Sequence, residues 1–133
     1  MKSFTLNKNE RLKSKKEISR LFDDGKFLFS DCFKLIWTET GFFEKYPAKI
    51  VVSVPKRIHK KAVTRNLLKR RLREAYRLNK NILYENLRKK EKSINFMIVY
   101  NCKNIFHYKQ IENNIISLLN ELIELELLKS DKL

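Results

Sequence analysis

Apolar positions along this chain change period several times, and each change marks an element. After Ser14, Ile18, Leu21 and Phe22 fall at i, i+3 and i+4, the stripe of a short helix. Ser14 with Glu17 predicts a capping box at its start, and Gly25 suits its end. The period then drops to two. Phe27–Ser30 predicts a short strand, and Phe33–Glu39 alternates Phe33, Leu35 and Trp37 against Lys34, Ile36 and Thr38, as a half-buried strand does. Gly41–Pro47 predicts a turn, and Ala48–Val54 a β-branched strand stopped by Pro55.

From about Lys61 the helical period returns. Leu68, Leu72 and Ala75, flanked by Thr64 and Tyr76, share one side. Asn66, Lys69, Arg70, Arg73 and Arg77 fan over the opposite arc, with Arg65 at its edge. Asn79–Lys92, with Ile82, Leu83 and Leu87, reads as a continuation, a second helix or a loop. Ile94–Tyr100 is nearly all apolar, as an interior strand covered on both faces would be. In the last segment, His107–Leu128, Ile111, Ile115, Leu118, Leu122 and Leu125 recur at spacings of four and three, widened by Ile116, Leu119 and Ile123. The spacing admits a coiled-coil seam, but the width of the stripe favours packing on a sheet. Residues 1–13 form a polar, extended lead-in with Phe4, Leu6 and Leu12 as isolated apolar points. The predicted order is αβββαβα: one α+β domain over residues 1–133 in layers of helix and sheet, with 1–8 and 129–133 as flexible tails.

Charge changes the meaning of the central helix. The chain has 133 residues and a formal net charge of +15, and Lys56–Arg77 holds ten basic residues against one acid, Glu74. Like charges at i,i+4 (Arg65–Lys69, Lys69–Arg73, Arg73–Arg77) each cost a few tenths of a kcal/mol. A helix needed only for solubility would mix its signs, so this one is read as built to lie along phosphates. No apolar run reaches the ~18 residues of a membrane span, and the N-terminus lacks the apolar core of a signal peptide. No membrane association is expected, and a cytoplasmic location is.

Candidate chemistry is sparse. Cys32 and Cys102 lie outside any C-x-x-C spacing, and in a reducing compartment they are expected to be small buried thiols. His59, among lysines, is a candidate phosphate contact; His107 reads as structural. Acids are scattered rather than clustered for Mg²⁺, and there is no P-loop or nucleophile–base set. The chain therefore reads as a binder without an active site of its own. Phe22, with Phe27, Phe29 and Phe33 beyond it, offers stacking surface for unpaired bases, although Phe33 shares a face with Leu35 and Trp37 and is better placed in the core.

Within Lys56–Tyr76, the pairs Lys56-Arg57, Ala62-Val63, Arg65-Asn66, Lys69-Arg70 and Arg73-Glu74, with Tyr76, resemble the signature of the bacterial ribonuclease P protein subunit. Arg11-Leu12, the helix ending at Phe22 before Gly25, and the strand Ile94–Tyr100 fall where that family has them, so the resemblance spans all but residues 1–8 and 129–133. It implies a two-layer sandwich with a four-stranded sheet and a left-handed βαβ crossover through the basic helix, contrary to the usual hand and similar to a small-subunit ribosomal protein domain. It implies a holoenzyme whose RNA subunit, with Mg²⁺, removes the 5′ leader of precursor tRNA by hydrolysis, while the protein binds ribonuclease P RNA and precursor tRNA and requires no protein partner. By position, Arg65, Asn66, Lys69, Arg70 and Arg73 would contact the RNA subunit, with Lys56, Arg57, Lys60 and Lys61 on the approach and Arg77 extending the face. A leader-binding cleft would involve Arg11, Ile18 where the family has the first of two aromatics, Phe22 matching the second, and Ile36 where relatives can have tyrosine. Readings of other classes are a general RNA-binding or ribosome-associated protein, a DNA-binding regulator, for which no helix-turn-helix is evident, and a stand-alone metal nuclease.

Overall fold

In the computed structural model, which describes residues 6–41 and 45–127, the first helix α1 (Lys15–Asp24) leads straight into a hairpin of β1 (Lys26–Ser30) and β2 (Phe33–Glu39). Strand β3 (Ala48–Ser53), helix α2 (Ala62–Lys89), strand β4 (Ile94–Tyr100) and helix α3 (Tyr108–Glu121) follow, α3 continuing as a wider helical turn over Leu122–Leu127. The sheet order is β1-β2-β4-β3. β1–β2 and β2–β4 are antiparallel, while β3 and β4 run parallel and are joined through α2. The four-stranded α+β arrangement expected from the sequence is thus present. Residues 1–5 (Phe4 among them) and 129–133 of the expected tails, part of the Gly41–Pro47 turn and the Leu125 side chain lie outside the described residues.

One rung of the sheet, Leu28–Leu35–Ile98–Val52, shows how its main face is built. These residues are buried beneath α2 and α3, whose inner stripes are Leu68, Leu72, Ala75, Leu83 and Leu87, and Ile111, Ile115, Leu118 and Leu119. The wide stripe of α3 therefore packs into the core. The same stripe settles Asn79–Lys92. It continues through Leu83 and Leu87, so α2 is one helix of 28 residues, about 42 Å long at 1.5 Å per residue.

On the opposite face the next rung, Phe27–Ile36–Met97–Val51, is partly covered by α1. Leu12 and Leu21 close a second small core over Ile36 and Met97, with Ile18 packed at its margin. This cover explains why β2 departs from the expected half-buried alternation: Leu35, Ile36, Trp37 and Thr38 are all buried. Gly25 permits the close approach. A Cβ there would collide with the Leu21 carbonyl and lie 2.5 Å from Ile36 Cγ2. Its φ of −70° is ordinary, so space and not left-handed backbone calls for glycine. Ser14 Oγ accepts the Glu17 N–H at 3.3 Å, but the Glu17 carboxylate accepts from Asn95 Nδ2 at 3.1 Å, linking α1 to the sheet instead of completing the expected capping box.

The lead-in is docked, not loosely extended. Lys8–Glu10 form a 3-10 turn, and the Leu12 N–H donates to the Ile50 carbonyl at 2.8 Å. Glu10 is buried, accepting from Lys80 Nζ and Tyr84 Oη at 2.6 Å each and from the Asn7 N–H at 3.0 Å. Burial alone raises the Glu10 carboxyl, but these hydrogen bonds outweigh it and hold it below the ordinary carboxylate value.

Candidate nucleic-acid interface

The inner stripe of α2 dictates what its outer arc displays. Asn66, Arg70 and Arg73 stand exposed, with Lys69 half-buried beside them. An isolated β-bridge from Arg11 to β3 brings a further cation to this side: Arg11 pairs alongside Ile50 and lines a groove of about 510 Å³ with Leu6, Arg70, Arg73, Glu74 and Arg77. Partial burial, and repulsion from Arg11, push the Arg73 guanidinium below its ordinary value. Arg11, expected at the leader cleft, therefore also belongs to the α2 groove. It lies between that groove and a second one of about 400 Å³, where Lys8, Lys13, Arg20 and Lys49 gather under the start of α1.

Two arginines of the predicted fan are committed within the fold. Arg77 donates through Nε and Nη2 to Glu74 at 3.2 and 2.5 Å, so its charge is neutralised locally and its guanidinium held above the ordinary value. Arg65 Nη1 donates to the His59 and Lys60 carbonyls at 2.9 and 2.8 Å, fastening the loop before α2. Arg71, between the two faces, donates to the Phe106 carbonyl at 2.6 Å. That loop carries Lys56, Arg57, Lys60 and Lys61 outward, all exposed, from a turn closed by Ile58 and His59 N–H groups on the Pro55 carbonyl.

His59 corrects an expectation. It is 6% exposed, bonded through Nε2 to the Cys102 carbonyl at 2.8 Å and edge-on to Tyr100, so it anchors the loop instead of meeting phosphate. His107 is structural as expected: it starts α3, and its N–H donates to Gln110 Oε1 at 3.0 Å. The cysteines correct another. Cys32 and Cys102, expected as separate thiols, are joined as a disulfide with Cα atoms 5.1 Å apart. The pairing of Phe33 with Tyr100 brings the β1–β2 turn against the end of β4, and sequence separation had hidden that proximity.

The cleft side differs from its expected residue set. Ile36 is 1% exposed beneath Leu21 and cannot reach a ligand, and Ile18 is half-buried in the same small core. Phe22 is 61% exposed. Phe27 and Phe29, on the same sheet face along edge strand β1, are 51% and 64% exposed, while Phe33 is core as expected. Lys34 Nζ stands 4.5 Å from the Phe27 ring centre and 5.8 Å from that of Phe29. Lys34 was not among the expected site residues. Only the hairpin register, which sets Phe29 opposite Lys34, reveals it.

Among the described residues, no group of three or more His, Cys, Asp or Glu is placed to hold a metal ion, and no helix is long and apolar enough to cross a membrane. The arrangement offers cations to a polyanion on one side and exposed aromatic rings on the other.

Comparison with known proteins bears on the family and the fold. A family model described as Ribonuclease P matches residues 6–122. Proteins named ribonuclease P protein component from Porphyromonas gingivalis and Petrotoga mobilis are 35% and 34% identical to this chain. The first match covers 73% of this chain and 72% of the relative, the second 92% and 98%. Among solved structures, the RNase P protein of Thermotoga maritima superposes with a TM-score of 0.68 at 22% identity, covering 84% of this chain and 96% of that one. That of Staphylococcus aureus gives 0.67 at 17%, covering 86% and 95%.

Proposed function

The chain belongs to the ribonuclease P protein family, and from that premise we propose that it is the RNA-binding subunit of a ribonucleoprotein that removes the 5′ leader of precursor tRNA. The observation that carries this reading is the separation of two surfaces. The α2 arc and the loop before it present Lys56, Arg57, Lys60, Lys61, Asn66, Lys69, Arg70 and Arg73 to phosphates, while Phe22, Phe27, Phe29 and Lys34 present rings and a cation on the other face of the sheet.

Each surface suits a different RNA element. The cation arc, fixed on one helix, suits the closely spaced phosphates of a structured RNA backbone, the ribonuclease P RNA. The aromatic face suits a single strand whose bases are unstacked, the leader, each base stack contributing ~1–3 kcal/mol. Arg11, between the α2 groove and the basic groove under the start of α1, holds phosphates that pass from one groove to the other. In this reading Mg²⁺, bound mainly by the RNA, supplies charge neutralisation for hydrolysis of the phosphodiester bond, which leaves a 5′-phosphate on the mature tRNA. The protein binds, orients and holds the leader away from competing positions. It acts in the cytoplasm and needs no second protein.

The test is to mix the purified chain with a ribonuclease P RNA and a precursor tRNA at low Mg²⁺. Leader removal should rise over that of the RNA alone. No stimulation would overturn the proposal, and cleavage by the chain without RNA would move the catalyst onto the protein.

A further inference from the structure

Neither surface gives the two cysteines a task, yet they sit behind the RNA-facing loop. We propose that Cys32 and Cys102 are a thiol–disulfide modification site that takes a low-molecular-weight disulfide of the glutathione type, and that closing the pair tightens the grip of loop 56–61 on RNA. The second half rests on the reading of that loop as an RNA contact.

The geometry supports both halves. The Cα atoms are 5.1 Å apart, inside the ~4.4–6.8 Å window in which a disulfide closes without backbone movement. Both residues are half-buried at the edge of the main core, which leaves part of each side chain open to a small reagent. Beside the sulfurs, the Asn101 N–H donates to the Cys32 carbonyl at 2.7 Å. The Cys102 carbonyl bonds His59 Nε2 at 2.8 Å, and Asn101 Oδ1 accepts from Arg57 Nη2 at 3.5 Å. Arg65 then ties the His59 and Lys60 carbonyls to α2. A continuous set of contacts thus runs from the sulfurs to the backbone that carries Lys56, Arg57, Lys60 and Lys61.

The chemistry balances as ordinary exchange. One cysteine thiolate attacks a sulfur of the small disulfide, breaking its S–S bond, forming a mixed disulfide and releasing one small thiolate. The second cysteine thiolate attacks the protein sulfur of that mixed disulfide and expels the other. The protein dithiol gives up two electrons, the reagent gains them, and the two protons end on the released thiols. Disulfides inside cells are mostly transient and redox-sensing, which fits a reversible pair better than a permanent staple.

The experiment equilibrates the full chain in mixtures of reduced and oxidised glutathione and counts free thiols by alkylation and mass spectrometry. Ribonuclease P RNA affinity is then measured in the same mixtures, beside Cys32→Ser and Cys102→Ser. Both variants keep the Cys102 backbone carbonyl and so keep the His59 bond. Two thiols should disappear together in the wild type, with RNA affinity rising about fivefold or more, the low end of couplings between sites. Both variants should stay at the reduced wild-type affinity throughout. A pair that never closes, accumulation of mixed disulfides only, or equal affinity in both states would overturn the proposal. Absence of RNA binding in every state would overturn the RNA reading and the loop half with it, while the thiol count still decides closure.

Discussion

Along the outer arc of α2, Arg70 and Arg73 are displayed by a helix whose inner side is fully buried, whereas across the sheet Phe22, Phe27 and Phe29 stand exposed with one cation among them. The first region stores electrostatic repulsion, the second exposed apolar surface. Each is relieved by a ligand of the opposite character: phosphates for the arc, unstacked bases for the rings. A duplex satisfies only the first. An unpaired strand also answers the second, and under the function proposed above the arc takes the structured RNA and the rings take the leader.

The joint between the regions is the lead-in, and breaking it should have the largest effect. Lys80→Ala leaves the Glu10 carboxylate buried without its cation, and loss of one partner of such a pair costs about 3–5 kcal/mol, read by urea unfolding. Glu10→Gln tests the charge itself. The Glu10 carboxyl is held below its ordinary value, so its stabilisation is present above about pH 4.3 and is lost as pH falls through the folded value. The variant should be less stable than wild type at neutral pH, with the gap closing in acid. A gap constant from neutral to acid pH would show that charge is not its source.

Next in size is the aromatic face. Phe29→Ala should weaken binding of leader-bearing precursor by about 1–3 kcal/mol and leave mature tRNA and the RNA subunit unaffected. Equal losses on all three RNAs would remove the leader from this surface. On the arc, Arg73→Ala should flatten the log–log salt dependence of RNA-subunit binding by about 0.7–0.9, one phosphate contact. Arg77→Ala should change that slope little, because Glu74 already neutralises Arg77. Equal slope changes in the two variants would mean the pair opens on RNA.

The two regions were unequally legible before the fold was known, for a physical reason. Charge on α2 is a local pattern, so the 3.6-residue period placed Asn66, Arg70 and Arg73 on the exposed arc and Leu68, Leu72 and Ala75 in the core. The aromatic face depends on register between strands, and so Lys34 was missed while Ile36, hidden by α1, was expected to be open. His59, the Cys32–Cys102 pair and the split role of Arg11 share that cause: their partners are Cys102, a residue 70 positions away, and Arg73, none of them near in sequence. The commitments of Arg65 and Arg77 to the fold were hidden for a different reason. The side-chain partner of Arg77 lies three residues away, but period alone does not say whether a cation turns to solvent or back to a neighbour.

Lys34 gives the smallest and sharpest test, because it belongs to both characters at once. Its ammonium lies over two rings, so without ligand it stabilises the aromatic face, by about 0.5–1 kcal/mol for an exposed cation–π contact. A base stacking on Phe29 would compete with that contact and free the charge for the adjoining phosphate. Lys34→Met keeps the apolar stem and removes the charge. If the ammonium serves the leader, affinity for leader-bearing precursor should fall about two- to fivefold, the range of one such contact, with a smaller salt slope and no change for mature tRNA. If it only holds the rings in place, thermal stability falls while leader affinity stays or rises. Combining Lys34→Met with Phe29→Ala separates these outcomes further. Non-additive losses on the precursor mean one leader nucleotide touches both side chains, and additive losses mean that base and phosphate are held independently.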